Sequence, residues 1–309
     1  MRFWKCGQFE LPIGQKTYVM GIANVTPDSF SGDGIGGESA LAHALRLVDE
    51  GADILDIGGE STRPGAQPVP EEEETRRVLP LVEALAARVS IPLSVDTTKA
   101  GVARAALAAG ASIINDISGA TFDSHMLEVI AASDGGCVLM HLRGTPQTMG
   151  WSTRLTNANT PTRQSFDCRS GPIASRQSDD VIAEIKAFWN ERVAAAGDAG
   201  ISPDRIALDA GFGFGKSLDE NLEILRRGRE LAACGFPTLS GTSRKSTIGK
   251  ILDEAPVDER IWGTAATVAI AIANGCDIVR VHDVRAMVQV ARVADATVRG
   301  TLPAQLGKI

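Results

Sequence analysis

The stretch PLSVDTTKAGVARAALAAGASIINDI, residues 92–117, contains one complete strand–helix–strand unit. Residues 92–96 and 112–117 are short runs of mainly apolar side chains, which is typical of buried strands. The Ala-rich stretch 99–109 between them favours a helix, and Gly110 suits the left-handed conformation in which many helices end. Two strands joined through a helix run parallel, so this stretch predicts part of a parallel sheet.

The same unit recurs along the chain from residue 17. Strands are predicted at residues 18–24, 53–58, 92–96, 112–117, 137–141, 206–209, 237–241 and 277–282. Helical patterns follow the strands, for example at residues 39–50, 71–89, 99–109 and 218–233. Eight such units in 309 residues favour an α/β fold of the closed (β/α)8, or TIM-barrel, type over a doubly wound sheet. We predict a single domain over residues 1–309, with the barrel core at 17–299.

Two segments lie outside the eight units. Residues 3–17 predict a short N-terminal β-hairpin that closes one end of the barrel. Residues 151–178 form a long insertion after strand 5, in which four Arg against one Asp leave a net charge of +3. The insertion is interpreted either as a disordered, dispensable loop or as a lid whose arginines attract an anionic substrate. The composition favours the first, because so few aliphatic side chains cannot offset the entropy lost on ordering.

The composition excludes several classes of protein. A chain that is 44% hydrophobic and 22% charged is not intrinsically disordered, and no apolar run is long enough to predict a membrane helix. The start, MRFWKCG, lacks the apolar core of a signal peptide, and the five cysteines form no CxxC pair, so we expect a cytoplasmic protein without a zinc site. The net charge of −7 argues against a nucleic acid as partner.

Polar side chains stand at the C-terminal ends of nearly all the predicted strands. They are Asn24, Asp56, Asp96, Asn115, His141, Asp209, Ser240 and the pair Arg280 and His282. In barrels of this type the chemistry is carried by that rim, while the strand interiors are aliphatic. Each polar group buried without a partner would cost about 1–3 kcal/mol, so the convergence of so many predicts a binding pocket.

Glycine-rich loops leave the same rim at residues 20–34, 58–66 and 241–249. The last of them carries Arg244 and Lys245 and leads into a helix that starts near Ser246. Because helix N-termini and basic side chains attract anions, these loops predict an anionic substrate. A metalloprotease motif of the HExxH type is absent from the sequence, and the candidate Schiff-base lysines, Lys99 and Lys245, do not lie within predicted strands.

Eight short motifs resemble the dihydropteroate synthase family and occur in order between about residues 3 and 299. They are NVTPDSF (24–30), GGESTRPGA (58–66), SVDTTKA (94–100), INDISG (114–119), MHLRGTPQTM (140–149), LDAGFGFGK (208–216), GTSRKSTIG (241–249) and RVHD (280–283). The resemblance implies a (β/α)8 barrel and a transferase. That enzyme would join (7,8-dihydropterin-6-yl)methyl diphosphate to 4-aminobenzoate with Mg²⁺, giving 7,8-dihydropteroate and diphosphate.

The resemblance also implies a role for particular residues of this chain. The pterin would be bound by Asp96, Asn115, Met140, Asp209, Lys245 and Arg280. The diphosphate would be bound by Asn24, Thr62, Arg63, Arg280 and His282, with Asn24 as the Mg²⁺ ligand. The aminobenzoate would be surrounded by Phe30, Thr62, Arg63, Pro64, Phe214 and Ser246. The catalytic set would be Asp96, Asp209, Lys245, Arg280 and His282.

Further expectations follow from the same resemblance. The mechanism would be a dissociative substitution, sulfonamides would bind as mimics of aminobenzoate, and the protein would form a homodimer through helices late in the barrel. Two alternatives stay open. A methyltetrahydrofolate–corrinoid methyltransferase would share the pterin residues but would not need the Arg63 loop, the SRKS helix start or the RVH motif, and a silent paralogue would bind pterins without turnover.

Overall fold

A computed structural model describes residues 2–25, 39–62, 65–149 and 180–302 of the chain. Its strands are β1 (Arg2–Cys6), β2 (Phe9–Ile13), β3 (Tyr18–Asn24), β4 (Ile54–Gly58), β5 (Leu93–Asp96), β6 (Ile113–Asp116), β7 (Gly136–Met140), β8 (Ile206–Asp209), β9 (Thr238–Ser240) and β10 (Ile278–Val281). Its helices are α1 (Ala40–Asp49), α2 (Glu71–Ala86), α3 (Ala100–Ala108), α4 (Met126–Ala131), α5 (Val181–Asp198), α6 (Leu218–Arg226), α7 (Gly228–Ala232), α8 (Ser246–Ile251), α9 (Ile261–Ala273) and α10 (Val284–Val298). Phe30, Arg63, Pro64 and the predicted insertion 151–178 lie outside the described residues.

Strands β3 to β10 form a closed parallel barrel. Each pairs with the next along the chain, and the barrel closes where β10 pairs with β3, with Arg280 opposite Met20. The predicted (β/α)8 fold is therefore confirmed. The ends of all eight barrel strands agree with the sequence prediction to within one residue, because each apolar run stops where a polar or glycine residue leaves the sheet.

The N-terminal hairpin of β1 and β2 closes the end of the barrel at which the strands begin. The two strands pair antiparallel, with Trp4 opposite Leu11. Trp4 is fully buried, and its indole N–H donates to the main-chain oxygen of Arg205 at 3.1 Å. Its side chain belongs to one apolar cluster with barrel-interior residues such as Met20 and Ile54. The predicted hairpin is confirmed, and it fills the lower barrel with apolar side chains.

The helices cover the barrel, and one apolar cluster contains buried side chains of both strands and helices, such as Leu55 and Val78. One predicted helix, residues 218–233, is wrong as a single element, because the chain breaks at Arg227 into α6 and α7. At this point the amide of Asn274, at the end of α9, donates to the carbonyl oxygen of Leu225 at 2.7 Å. A side chain that donates to a main-chain carbonyl oxygen of a helix competes with the hydrogen bond that this oxygen would accept within the helix, and so interrupts the helix.

No helix among the described residues combines the length and the apolar character that crossing a membrane requires.

We expect Trp4→Ala to lower the free energy of unfolding by about 3–5 kcal/mol, because it leaves a cavity at the closed end of the barrel. Urea denaturation measures the change. Glu10→Ala, at an exposed position of β2, is the matched control and should stay within about 0.5 kcal/mol. A loss below about 1 kcal/mol for Trp4→Ala would mean that the hairpin contributes little to the core.

Candidate active site

The strand register brings several of the predicted site residues to one level of the rim. Gly58 of β4 pairs with Asn24 of β3 and with Asp96 of β5, and Asp96 pairs in turn with Asn115 of β6. A Cβ atom on Gly58 would lie 3.1 Å from Asn24 Oδ1 and 3.8 Å from Asp96 Cβ. The glycine therefore leaves open the space between the predicted metal ligand and the first of the pterin carboxylates.

Arg280 joins the strands across the top of the barrel. Its Nε donates to Asp56 Oδ2 at 2.5 Å, and its Nη2 donates to Asp96 Oδ2 at 2.8 Å. Asp56 is fully buried and also accepts from Ser94 Oγ at 2.5 Å and from Asn115 Nδ2 at 3.1 Å. One guanidinium thus balances two buried carboxylates, and Asn115 is oriented by the same network.

Burial dominates the electrostatics of this group. It raises the pKa of Asp96 to about 7, although the positive charge of Arg280 opposes the shift. The negative charges of Asp56, Glu74 and Asp116 add to the increase. Asp96 therefore exchanges its proton near neutral pH, the range in which a carboxylate can accept or return a proton to a bound ring.

Asp209 and Lys245 form the second charged group of the rim, around Gly241. A Cβ atom on Gly241 would lie 4.0 Å from Asp209 Oδ2, from Lys245 Nζ and from Arg280 Cβ. Burial lowers the pKa of Lys245 to about 7, with the charge of Asp209 opposing the shift. Burial raises the pKa of Asp209, and Lys245 is the main opposing charge. The missing side chain at Gly241 leaves room for a ligand between these groups.

The loop after β8 holds both of these groups. The N–H of Gly211 donates to Asp209 Oδ1 at 2.7 Å. Lys245 donates to the carbonyl oxygen of Phe212, and its Nζ lies 4.2 Å from the centre of the Phe214 ring. The predicted pterin residues Asp209 and Lys245 therefore meet Phe214, which the resemblance assigned to the aminobenzoate site.

His282 lies on the loop after β10, where its Nδ1 is 3.0 Å from Ser243 Oγ. The neighbouring Arg244 forms a bidentate ion pair with Asp283, in which Nε donates to Oδ2 at 2.9 Å and Nη2 donates to Oδ1 at 2.5 Å. These contacts fasten the loop that ends in Ser246, the first residue of α8, to the loop that carries His282. The structure thus joins the loop of His282 to the loop that carries Arg244 and Ser246.

A cavity of about 230 Å³ opens beside Asp96 and is lined by Thr62 among other residues. Lys99 lies in its wall and is paired with Glu60 and Glu74. Burial alone would lower the pKa of Lys99, but the two carboxylates outweigh it and the pKa is raised. A lysine held as an ammonium ion is a poor nucleophile, so this geometry argues against Lys99 as a Schiff-base residue.

Met140, at the end of β7, is buried and pairs with Asp209 in the strand register. Phe30, Arg63 and Pro64, which complete the predicted aminobenzoate set, lie outside the described residues. Within the described part of the chain, no cluster of three His, Cys, Asp or Glu residues is arranged to hold a metal ion.

The sequence did not assign roles to three residues that the structure places in these networks. Asp56 supports Arg280, and Ser243 contacts His282. Lys216 binds three main-chain carbonyl oxygens, two in the loop after β8 and one in the loop after β7. The polar residue within the apolar run ILDIG was the only signal for Asp56, and it did not indicate a partner.

Comparison with known proteins adds the family. Residues 20–282 match the family model of pterin binding enzymes. A dihydropteroate synthase from Synechocystis is 48% identical over 295 residues, which cover 94% of this chain and 93% of that protein. The chain belongs to the dihydropteroate synthase family.

Solved structures of this family have the same fold. The Yersinia pestis dihydropteroate synthase, in complex with a sulfonamide drug, has a TM-score of 0.82 and 38% identity and covers 97% of this chain and 100% of its own. The Burkholderia cenocepacia dihydropteroate synthase, complexed with 7,8-dihydropteroate, has a TM-score of 0.79 and 39% identity, with 97% of each chain covered. As a member of this synthase family the protein is an enzyme, a transferase, and the methyltransferase alternative is disfavoured.

The raised pKa of Asp96 predicts a pH-dependent effect of Asp96→Asn. Because the folded-state pKa lies above the unfolded value, the contribution of Asp96 to stability is full below about pH 4 and is lost as the pH rises through about 7. The side chain of Asn does not ionise, so the Asp96→Asn variant does not lose this stability as the pH rises. Relative to the native protein, the variant should gain on the order of 2 kcal/mol between pH 5 and pH 8.

Denaturant unfolding at both pH values measures this gain. Asp198→Asn, at an exposed position near the end of α5, is the control and should show the same difference from the native protein at both pH values. An identical difference at pH 5 and pH 8 for Asp96→Asn would show that Asp96 is ionised throughout this range.

Proposed function

We propose that this rim joins (7,8-dihydropterin-6-yl)methyl diphosphate to 4-aminobenzoate, giving 7,8-dihydropteroate and diphosphate. The observation that carries the proposal is a pair of buried carboxylates that share Arg280 as a neighbour. Asp209 lies with Lys245 and Arg280 around the open space at Gly241, and Asp96 accepts from the guanidinium of the same Arg280. The Burkholderia relative that binds 7,8-dihydropteroate supports the choice of product.

The pterin subsite needs fixed acceptors and donors for a flat ring with amino, imino and oxo groups. Asp209 and Asp96 accept from ring N–H groups, and Asn115 offers both a donor and an acceptor. Lys245 donates to the ring oxygen, while Met140 and Arg280 cover the faces of the ring. Asp209 accepts from the Gly211 N–H through Oδ1, so Oδ2 is available to the ligand.

The diphosphate subsite uses Asn24, Thr62, Arg280 and His282, with Arg63 outside the described residues. The amide oxygen of Asn24, exposed at the end of β3 and beside the open Gly58, is the hard oxygen donor that Mg²⁺ prefers. One protein oxygen is enough when diphosphate and water supply the other ligands, so the residues present fit this ion. When bound, Mg²⁺ neutralises charge on the leaving group.

The aminobenzoate subsite is assigned to Thr62, Phe214 and Ser246, together with Phe30, Arg63 and Pro64. Ser246 opens α8 and offers its hydroxyl and main-chain N–H to a carboxylate. The Phe214 ring, held against Lys245, lies between the two subsites. We assign sulfonamides to the same place, as mimics of aminobenzoate, with support from the drug complex of the Yersinia relative.

The reaction follows as a dissociative substitution. The bond between the methylene carbon and the diphosphate oxygen breaks, and the diphosphate leaves with the electron pair toward Arg280 and His282. The methylene cation is stabilised by the ring and by the negative charge of Asp96 and Asp209. The neutral aryl amine then forms the C–N bond and releases its proton to solvent, so it needs positioning more than a strong base.

The test is diphosphate release from the two substrates with Mg²⁺. His282→Asn and Arg280→Met should lower kcat by about 100-fold, because each removes a group that meets the developing charge. His125→Asn, at a position whose side chain is exposed, is the control for the histidine change and should keep native turnover. A native protein that binds pterin without releasing diphosphate would be the silent paralogue, and folded variants with full turnover would refute the anion site.

We also propose a homodimer through α9 and α10. Trp262 is 80% exposed and Val293 is 69% exposed, and the two helices that carry them pack against each other. Large exposed apolar side chains on adjoining helices are typical of a protein–protein interface. Sedimentation should show a dimer that Trp262→Lys converts to monomer and that Phe122→Lys, on another face, leaves intact. A native monomer at micromolar concentration would refute the proposal.

For the compartment we propose the cytoplasm. The cysteines of the described residues, Cys6, Cys137, Cys234 and Cys276, are all free thiols. Free thiols without disulfides are typical of proteins in a reducing compartment.

A further inference from the structure

Lys216 is a buried cation that the reaction described above does not use. It is only 2% exposed, and its Nζ donates to the carbonyl oxygens of Gly211 at 2.9 Å, His141 at 3.2 Å and Phe214 at 3.2 Å. An ammonium ion has three N–H groups, so these three acceptors satisfy it completely. All three acceptors are main-chain oxygens, which means that the lysine holds backbone and not another side chain.

These bonds join two loops that already touch through their backbones. Gly211 and Gly215 both have a φ of +66°. A Cβ atom on Gly211 would overlap the carbonyl oxygen of His141, and one on Gly215 would overlap that of Arg143. The loop 210–216 after β8 therefore lies directly on the start of the loop after β7, and Lys216 binds oxygens of both.

Two of the three bonds lead directly to groups of the pterin subsite. The main-chain N–H of Gly211 donates to the carboxylate of Asp209, and the main-chain oxygen of Gly211 accepts from Lys216. Phe214 accepts from Lys216 through its oxygen, while its ring lies against the ammonium of Lys245. Between them, the oxygen of Phe212 accepts from Lys245. The position of both Asp209 and Lys245 thus depends on the loop that Lys216 holds.

Burying an ammonium ion is expensive, even with its hydrogen bonds satisfied. A neutral amide also holds this loop: Asn221 accepts from the N–H of Gly213 through Oδ1 and donates to the main-chain oxygen of Lys216 through Nδ2. Burial lowers the pKa of Lys216 to about 7, and the negative charge of Asp209 opposes this shift. The three main-chain oxygens around Nζ hold the lysine in this place.

We propose that Lys216 is a positioning residue of the pterin subsite, which holds the loop 210–216 so that Asp209 and Lys245 face the ring. The inference rests on the proposed function. It assigns to Lys216 a larger effect on pterin recognition than on the aminobenzoate subsite. Of the described aminobenzoate residues only Phe214 lies on this loop, whereas Thr62 and Ser246 are carried by other loops.

The experiment compares Lys216→Met with native protein and with Asp209→Asn, which removes a pterin group directly. We expect the KM for the pterin diphosphate and the calorimetric Kd for a simple pterin to rise about tenfold or more, as for the loss of a charge-assisted contact. The KM for 4-aminobenzoate should change by less than about threefold. Lys186→Met, at an exposed position of α5, is the matched control and should keep both constants.

Lys216→Gln covers the case in which the methionine variant does not fold, since it keeps N–H donors and removes the charge. Its pterin affinity should lie between those of the native protein and Lys216→Met, or fall by at least several-fold if only Gln can be purified. Equal increases in both KM values would mean a merely structural role, and an unchanged pterin Kd in a folded variant would refute the proposal.

Binding and turnover also separate this proposal from the one it rests on. A native protein that does not bind pterin would refute the proposed function and the role of Lys216 together. A native protein that binds pterin tightly, with variants that bind it equally well, would refute the role of Lys216 alone.

Discussion

The ion pair between Arg280 and the carboxylates of Asp56 and Asp96 is the interaction on which the active rim depends. Two buried carboxylates that contact the same guanidinium would repel each other in its absence, and removing the partner of a buried charge typically costs about 3–5 kcal/mol. The guanidinium of β10 reaches across to β4 and β5, and Asn115 of β6 joins through Asp56. Four strands are thereby held in the arrangement that a ring ligand requires.

This polar network divides the barrel interior into two parts with different tasks. Below it, Met20, Ile54 and the hairpin residue Trp4 form an apolar core that carries stability. Above it, charged groups are kept close together at the cost of shifted pKa values, as for Asp96 and Lys245. Because the apolar core at the lower end carries the stability, the upper end can keep buried charged groups close together at an energetic cost.

Much of the site could be predicted from the sequence, since its residues stand where apolar runs end. Asp96, Asn115, Asp209 and Arg280 were named in this way, and the strand register brings Asp96 and Asn115 to the same level. The roles of Asp56 and Lys216 could not be predicted. Their partners lie far along the chain: Arg280 is 224 positions from Asp56, and His141 is 75 positions from Lys216. The break between α6 and α7 was missed for the same reason, because its cause is Asn274 on a distant helix.

The sequence by itself determined the strand positions, the parallel barrel and the family. These depend on local periodicity and on short motifs, which are present in the chain before it folds. Only the tertiary structure decided that Arg280 is shared between two carboxylates, that Gly211 and Gly215 allow two loops to touch, and that Lys216 binds both. The strength of a hydrogen bond or an ion pair changes when the distance between its two atoms changes by a few tenths of an ångström. Those distances exist only once the barrel has closed and its loops lie against one another.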